Sequence, residues 1–383
     1  MGTHSKIAIF HPWIKSRGGS EKVLLELLKN SKHKFGIYTW AYDKEKTFSE
    51  FKNYKINLLL PKIGKKLSRL FILRGLFLPL GLLKKIPLEK YDKFFIFTSG
   101  VAEFITFRNY KKNQTYAYVY TPLREANKKI IKWNLENRYN SFIRKEIYLI
   151  AVKIYKFFEK KAWNKLGEVI FISKLSASRA KENGLLKNKK EIIIYPPVDL
   201  EKFKNLDGKE GKNFVYFSRL NPPKRQDILI KAWKNFSKKN KGYKLIIIGT
   251  PDNKKYYKKI LKLSKNMDTV KIKINVSDKE LKKNLLFAKA GIFLGYQEDF
   301  GIVPLEIIGA GNPLLAVDEG GYVDLIKNNP LFYPIKEKHL EKDMVQEVSK
   351  ALENLAIKKN VKKNVKKIKL NDFIREIDKF LEK

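Results

Sequence analysis

The sequence contains no cysteine, which removes disulfides and thiolate metal sites from any account of its stability or chemistry. Its four histidines, His4, His11, His33 and His339, lie too far apart along the chain to suggest a metal cluster. An intracellular, metal-free protein is the simplest expectation. No stretch reaches the ~18–20 consecutive apolar residues of a membrane-spanning helix, and the apolar run Lys6–Phe10 is too short for a signal peptide. Acidic residues are also scarce, 39 against 81 lysines and arginines, leaving a net charge of +42. Such an excess points to an anionic partner: nucleic acid, an anionic membrane surface or an anionic small substrate. Most of it is lysine spread over the whole chain, however. With abundant Ile, Asn, Phe and Tyr, that spread is also what a lysine-favouring genome or a heat-adapted proteome produces without functional demand.

What is present is enough apolar material, 44% of 383 residues, for more than one core. Short runs rich in Ile, Val, Phe and Tyr recur with amphipathic segments between them. They fall at Lys6–Phe10, Phe35–Thr39, Lys93–Thr98, Tyr116–Tyr120 and Glu168–Ile172, then at Asn213–Phe217, Lys244–Gly249, Thr269–Ile274, Ala290–Leu294 and Pro313–Val317. This alternation predicts an α/β protein with parallel sheets covered on both faces, in two successive series. Tyr195-Pro196-Pro197-Val198-Asp199 divides them, because two adjacent prolines forbid helix and favour an extended connector. The expected domains are 1–197 and 198–368. A terminal helix over 369–383 has Phe373, Ile374, Ile377, Phe380 and Leu381 at the spacing of one face, which should dock on something.

Three segments carry chemistry. In Tyr296–Glu306, two carboxylates stand eight positions apart with Gly301 and Pro304 between them, so no regular helix holds both. Glu298 is therefore expected in a loop and Glu306 in the first turn of a helix. Free backbone N–H groups around Phe300, Gly301, Ile302 and Val303 would suit a phosphate. A loop acid, a phosphate-binding helix start and a helix acid together suit a sugar-nucleotide. The loop Ser218–Arg225 follows an apolar strand and offers Arg219 and Lys224 to a pyrophosphate, with Arg225 expected to be an ordinary solvated cation. Gly18 and Gly19 follow the first strand and open the first helix. There a phosphate can approach the backbone closely, or the pair is a plain strand-to-helix turn with Ser20 as its cap.

Taken in this order and at these separations, Gly18-Gly19-Ser20-Glu21, the Arg219/Lys224 loop and the Glu298–Glu306 segment resemble the retaining glycosyltransferases of the GT-B fold, family 4 type. The resemblance covers most of the chain. It implies two Rossmann-like domains facing across a cleft, with the last helix crossing back to the first domain. It further implies a retaining, metal-independent hexosyltransferase without cofactor, taking a UDP- or GDP-sugar, GDP-mannose among them, and a saccharide or lipid-linked acceptor. By the same resemblance Glu306 meets the ribose, Glu298 the transferred sugar, and Arg219 and Lys224 the departing diphosphate. Gly18, Gly19 and the amides at Phe300–Val303 complete the donor contacts. The family's usual histidine before Thr-Pro is replaced here by Tyr120, which with Arg124 stands on the sugar or acceptor side. A tyrosine can hydrogen-bond a sugar but does not carry protons near neutral pH.

Two further stretches combine cations with apolar residues. Residues 62–85 have a basic head and tail around a Leu/Phe-rich middle, suited to the interface of an anionic membrane or to packing as amphipathic helices. The expected location is the cytoplasm, with that segment offering peripheral attachment to the membrane's inner face. Arg144–Lys165 reads as a long core-facing helix. Competing readings are a non-catalytic nucleic-acid-binding protein driven by charge, and a GT-B scaffold without activity. No nucleic-acid-binding signature is visible and the cations form no single stripe, so nucleic acid is not the expected partner.

Overall fold

The structure, a computed structural model, describes residues 5–60, 84–187, 189–200, 211–358 and 372–383. Most of 62–85 therefore lies outside the described residues. The chain forms two compact units, Met1–Pro197 with Leu370–Lys383, and Val198–Lys369.

In the first unit the strands are β1 (Lys6–Phe10), β2 (Trp13–Ile14), β3 (Lys34–Thr39), β4 (Ala41–Tyr42), β5 (Ile56–Leu58), β6 (Lys93–Thr98), β7 (Thr115–Val119), β8 (Val169–Phe171) and β9 (Glu191–Ile193). Seven of them make one parallel sheet in the order β5-β3-β1-β6-β7-β8-β9, while β2 and β4 pair separately. Ile7 to Phe10 and Phe94 to Phe97 are wholly buried, as central parallel strands with both faces covered must be. The covering helices are α1 (Gly19–Asn30), α2 (Lys128–Asn137), α3 (Phe142–Trp163) and α4 (Lys174–Glu182). Asn127, Ser141 and Ser173 cap the last three through side-chain oxygens.

Helix α3 corrects the core-facing reading of Arg144–Lys165. Its buried face, Tyr148, Val152, Glu159, Ala162 and Trp163, follows the helical period, and Tyr155 packs edge-on against Phe104 at 5.2 Å. The opposite face is apolar as well and stays in solvent. Beneath the helix, the fully buried carboxyls of Glu103 and Glu159 interact directly. Thr98 donates to Glu103, and the Leu123 N–H donates to Glu159 at 2.7 Å. Burial pushes both acids above the ordinary glutamate value, Glu159 further because Glu103 lies beside it.

The second unit holds β10 (Asn213–Phe217), β11 (Lys244–Ile248), β12 (Val270–Lys273), β13 (Ala288–Phe293), β14 (Leu314–Val317) and β15 (Phe332–Ile335), all parallel, in the order β12-β11-β10-β13-β14-β15. Its helices are α5 (Gln226–Lys239), α6 (Lys254–Ser264), α7 (Asp278–Leu286), α8 (Ile302–Gly309), α9 (Val323–Ile326) and α10 (Glu337–Ala356). Trp233, Phe236 and Phe214 meet in one aromatic cluster under α5. The last helix, α11 (Phe373–Glu382), belongs to the first unit: Phe373 and Phe380 pack edge-on against Tyr118 and Tyr116 at 5.7 and 5.2 Å. Asp378 accepts from the Ser31 hydroxyl at 2.5 Å and the Lys32 N–H at 3.2 Å, pinning α11 to the end of α1.

Candidate functional site

In the six-stranded sheet the chain starts at β10, runs outward through β11 and β12, then returns to the other side of β10 as β13. The reversal leaves a crevice beyond the carboxyl ends of β10 and β13, where open parallel sheets bind ligands. Both loops singled out from the sequence leave the sheet here. Past β10, Ser218 and the Arg219 carbonyl accept from Gln226 at 2.9 and 3.0 Å, holding the loop to the start of α5. Arg219 itself is exposed and pairs with Asp252 at 3.2 Å, so its place after an apolar strand did not bury it. Lys224 is different. It ends the short 3-10 turn Pro222–Lys224, its carbonyl accepts from Tyr216, and its ammonium is ion-paired with Glu298 and lies 4.9 Å from the Phe293 ring centre.

Past β13, Gln297 adopts a left-handed φ of 51° and Gly301 one of 86°, so the chain turns sharply on either side of Glu298. Glu298 is fixed by its own backbone: its carbonyl accepts from the Gly321 N–H at 3.0 Å. Gly301 caps α8 without side-chain help, leaving the N–H groups of the first helical turn unmatched within the helix. Pro304, third in the helix, has no N–H to satisfy. A Cβ on Gly301 would lie 2.5 Å from the buried Tyr322 ring and 3.3 Å from Glu298 Cγ. Glu306 is buried in α8, but in the second turn rather than the first, because the helix begins at Ile302.

The sequence reading missed Arg225. Rather than being solvated, it is buried in a left-handed conformation (φ 57°), makes two bonds to Glu337 at 2.8 and 2.5 Å, and stacks 4.7 Å from the Tyr296 ring centre. No local signal marks it, since Glu337 lies 112 positions away. Burial pushes the hydroxyls of Tyr216 and Tyr322 above the ordinary tyrosine range, and the charge of Glu298 adds to this in both. The structure thus brings Lys224, Glu298 and Gly301 together and ties Arg225 to the same loop through Tyr296.

In the first unit, Gly18 caps α1, and Ser20 sits inside the helix, not at its cap. The group that uses the missing Cβ of Gly18 is Glu21, whose carboxylate would lie 2.5 Å from it. That carboxylate accepts from the Ser16 N–H and hydroxyl at 3.2 and 2.8 Å and from the Ser20 hydroxyl at 2.8 Å. A buried internal anion therefore occupies this loop beside Gly18 and Gly19. Tyr120 follows β7 directly and its hydroxyl donates to the Ser20 carbonyl at 3.1 Å, linking it to the same loop. Burial raises the Tyr120 hydroxyl well above the ordinary tyrosine value. His11, buried nearby, is held below the usual histidine value by burial, against the pull of Glu21. Arg124 is half-buried at the start of the 3-10 turn Arg124–Ala126. Among the described residues no group of three or more His, Asp or Glu side chains gathers in metal-binding geometry.

Comparison with known proteins matches residues 198–368 to the family model of glycosyl transferases group 1. The GDP-Man:Man(3)GlcNAc(2)-PP-Dol alpha-1,2-mannosyltransferase of Xenopus laevis is 31% identical over 143 residues, 34% of this chain and 29% of that protein. Its Mus musculus counterpart is 30% identical over 145 residues, 34% of this chain and 30% of that protein. The match spans under a third of these relatives' length. Among solved structures, Anabaena Alr3699/HepE in complex with UDP and glucose superposes with a TM-score of 0.60 at 17% identity, covering 99% of both chains. A glycosyltransferase from Rickettsia africae gives 0.60 at 15% identity, covering 99% of this chain and 98% of that one. At such identities the structural likeness shows the fold. With residues 198–368 matched by the model of glycosyl transferases group 1 and both parallel sheets matched by these neighbours, the second unit is similar to that family and the chain has the GT-B fold.

Proposed function

We propose that the protein is a retaining hexosyltransferase whose second unit binds a nucleotide-diphosphate sugar, with GDP-mannose the first donor to test, and passes the hexose to a saccharide or lipid-linked acceptor. The observation that carries this reading is the Lys224–Glu298 pair, held at the sheet's switch point beside the start of α8. A cation beside a row of outward backbone N–H groups is suited to a diphosphate. In the proposed complex Lys224 moves from Glu298 to the diphosphate, and Glu298 turns to the hydroxyls of the hexose. Glu306, acceptor-only when ionised, takes the ribose hydroxyls. Arg219, tethered only at the surface to Asp252, is free to swing onto the phosphates.

Breaking the bond between the anomeric carbon and the diphosphate leaves negative charge on the phosphate oxygen. Stabilising that charge is where Lys224 and the α8 amides would act most strongly. Glu298 is not assigned as a nucleophile; the departing phosphate accepts the acceptor's proton on the face it leaves. The mannosyltransferase relatives favour GDP-mannose, and the UDP-bound neighbour keeps UDP-sugars as the second choice. The test is release of GDP or UDP from nucleotide-hexoses offered with saccharide and polyprenyl-linked acceptors. Lys224→Ala should lower kcat by about a hundredfold to a thousandfold, the cost of deleting one preorganised donor. No release by the wild-type protein from any such pair would overturn the proposal.

A further inference from the structure

Helix α3 leaves a second apolar face uncovered. Ile143, Ile147, Ile150, Ile154 and Phe157 recur at spacings of four and three, a single stripe on a helix, and are 70, 62, 54, 52 and 55% exposed. Phe142, 78% exposed, extends it at the helix start. The core-packing residues Tyr148, Val152 and Glu159 lie on the other side, so the stripe is not the edge of the core. Exposed aliphatic side chains lined up over about four turns are rare on a surface that meets only water.

We propose that this face of α3 binds the surface of an anionic lipid bilayer, lying in its interface. The charge around the stripe selects that occupant. Of the charged residues on α3, Arg144, Lys145, Lys153, Lys156, Lys160 and Lys161 are cations, and the acids are Glu146 and Glu159. Glu159 is buried on the core side, so the surface of the helix is strongly basic. Lys153 and Lys160 border the stripe at helical spacing, and the Lys161 ammonium sits 4.4 Å from the Phe157 ring centre. Cations beside an exposed apolar stripe match an anionic headgroup layer over a hydrocarbon boundary. A second copy of the chain would instead set these cations against one another. No described helix is long and apolar enough to cross a membrane, so the contact is with the interface. The inference is independent of the reading of the donor site.

The absence of cysteine permits a clean test. Ile154→Cys, labelled with an environment-sensitive fluorophore, is titrated with vesicles of phosphatidylcholine alone and with vesicles carrying one phosphatidylglycerol in four. Lys238→Cys on α5 serves as the control, and unlabelled protein is sedimented with the same vesicles. We expect a blue shift at Ile154→Cys only, with the mixed vesicles only, weakened by salt. The triple variant Ile147→Ser/Ile150→Ser/Ile154→Ser should partition at least about tenfold less, and it changes only exposed positions, so its unfolding midpoint should hold. Lys153→Gln/Lys160→Gln should weaken binding at low salt. Equal binding of the triple variant and the wild type would overturn the proposal, as would no binding by the wild type. So would a wild type that self-associates through the stripe, becoming monomeric in the triple variant, without partitioning onto vesicles.

Discussion

Gly301→Ala isolates the turn that opens the proposed phosphate site. At φ 86° and ψ 75°, any L-residue pays for the left-handed backbone, about 1–2 kcal/mol. The new Cβ would also lie 2.5 Å from Tyr322 Cδ1, and Tyr322 has little room to retreat: it is fully buried and its hydroxyl is bonded to the Val317 carbonyl. Overpacking of that kind costs about 1–3 kcal/mol. The sum, about 2–5 kcal/mol, should appear as a lower urea midpoint of the purified chain. Tyr322→Leu separates the two contributions. It carries its own penalty for the lost ring, which cancels in a double-mutant cycle, so the coupling should recover about 1–3 kcal/mol and leave the backbone share. Because Gly301 also aims the α8 amides, the single variant should weaken nucleotide binding even where it remains folded. A loss below about 1 kcal/mol, or no coupling to Tyr322, would refute the steric reasoning.

Two other perturbations test the surroundings. Glu103 and Glu159 both have folded values raised by burial, so their neutral forms favour the fold at low pH, and this contribution is lost as pH rises above 4.5 towards the raised values. Glu159→Gln should therefore gain stability relative to wild type as pH increases, measured by urea midpoints across a pH series; parallel profiles would contradict it. Arg225→Met strands Glu337 without its bidentate partner and should cost about 3–5 kcal/mol, much of which Arg225→Met/Glu337→Leu should restore if the penalty is an unpaired buried charge. The same urea titrations decide it, and equal losses in the single and double variants would place the cost elsewhere.

Central parallel strands were legible because burial on both faces writes itself as apolar runs, as in Ile7–Phe10 and Leu245–Ile248. Within the two large sheets, the three strands without such a run, β5, β9 and β15, are sheet edges. They are short and mostly half-exposed, and β15 contains Pro334, which an edge tolerates because one side needs no ladder hydrogen bonds. At the candidate site, glycine and proline disclosed the turn after β13 because their effect is local. Side-chain partners were not legible: the burial of Arg225 depends on Glu337, and Gly18 accommodates the carboxylate of Glu21, which no spacing rule distinguishes from a ligand. For α3 the expectation was a single core-facing helix, whereas its apolar residues lie on two faces and only packing reveals which one the core takes.

In the proposed complex the second unit holds a nucleotide diphosphate with its ribose on Glu306. Titration calorimetry of GDP and UDP against the wild-type chain and Glu306→Gln tests it most directly, since the amide keeps the shape of the side chain and removes its charge. At least one of the two nucleotides should bind, and the substitution should weaken it by about tenfold to a hundredfold, the worth of a hydrogen bond to a charged group. Unchanged affinity in Glu306→Gln, or no binding of either nucleotide to the wild type, would contradict it.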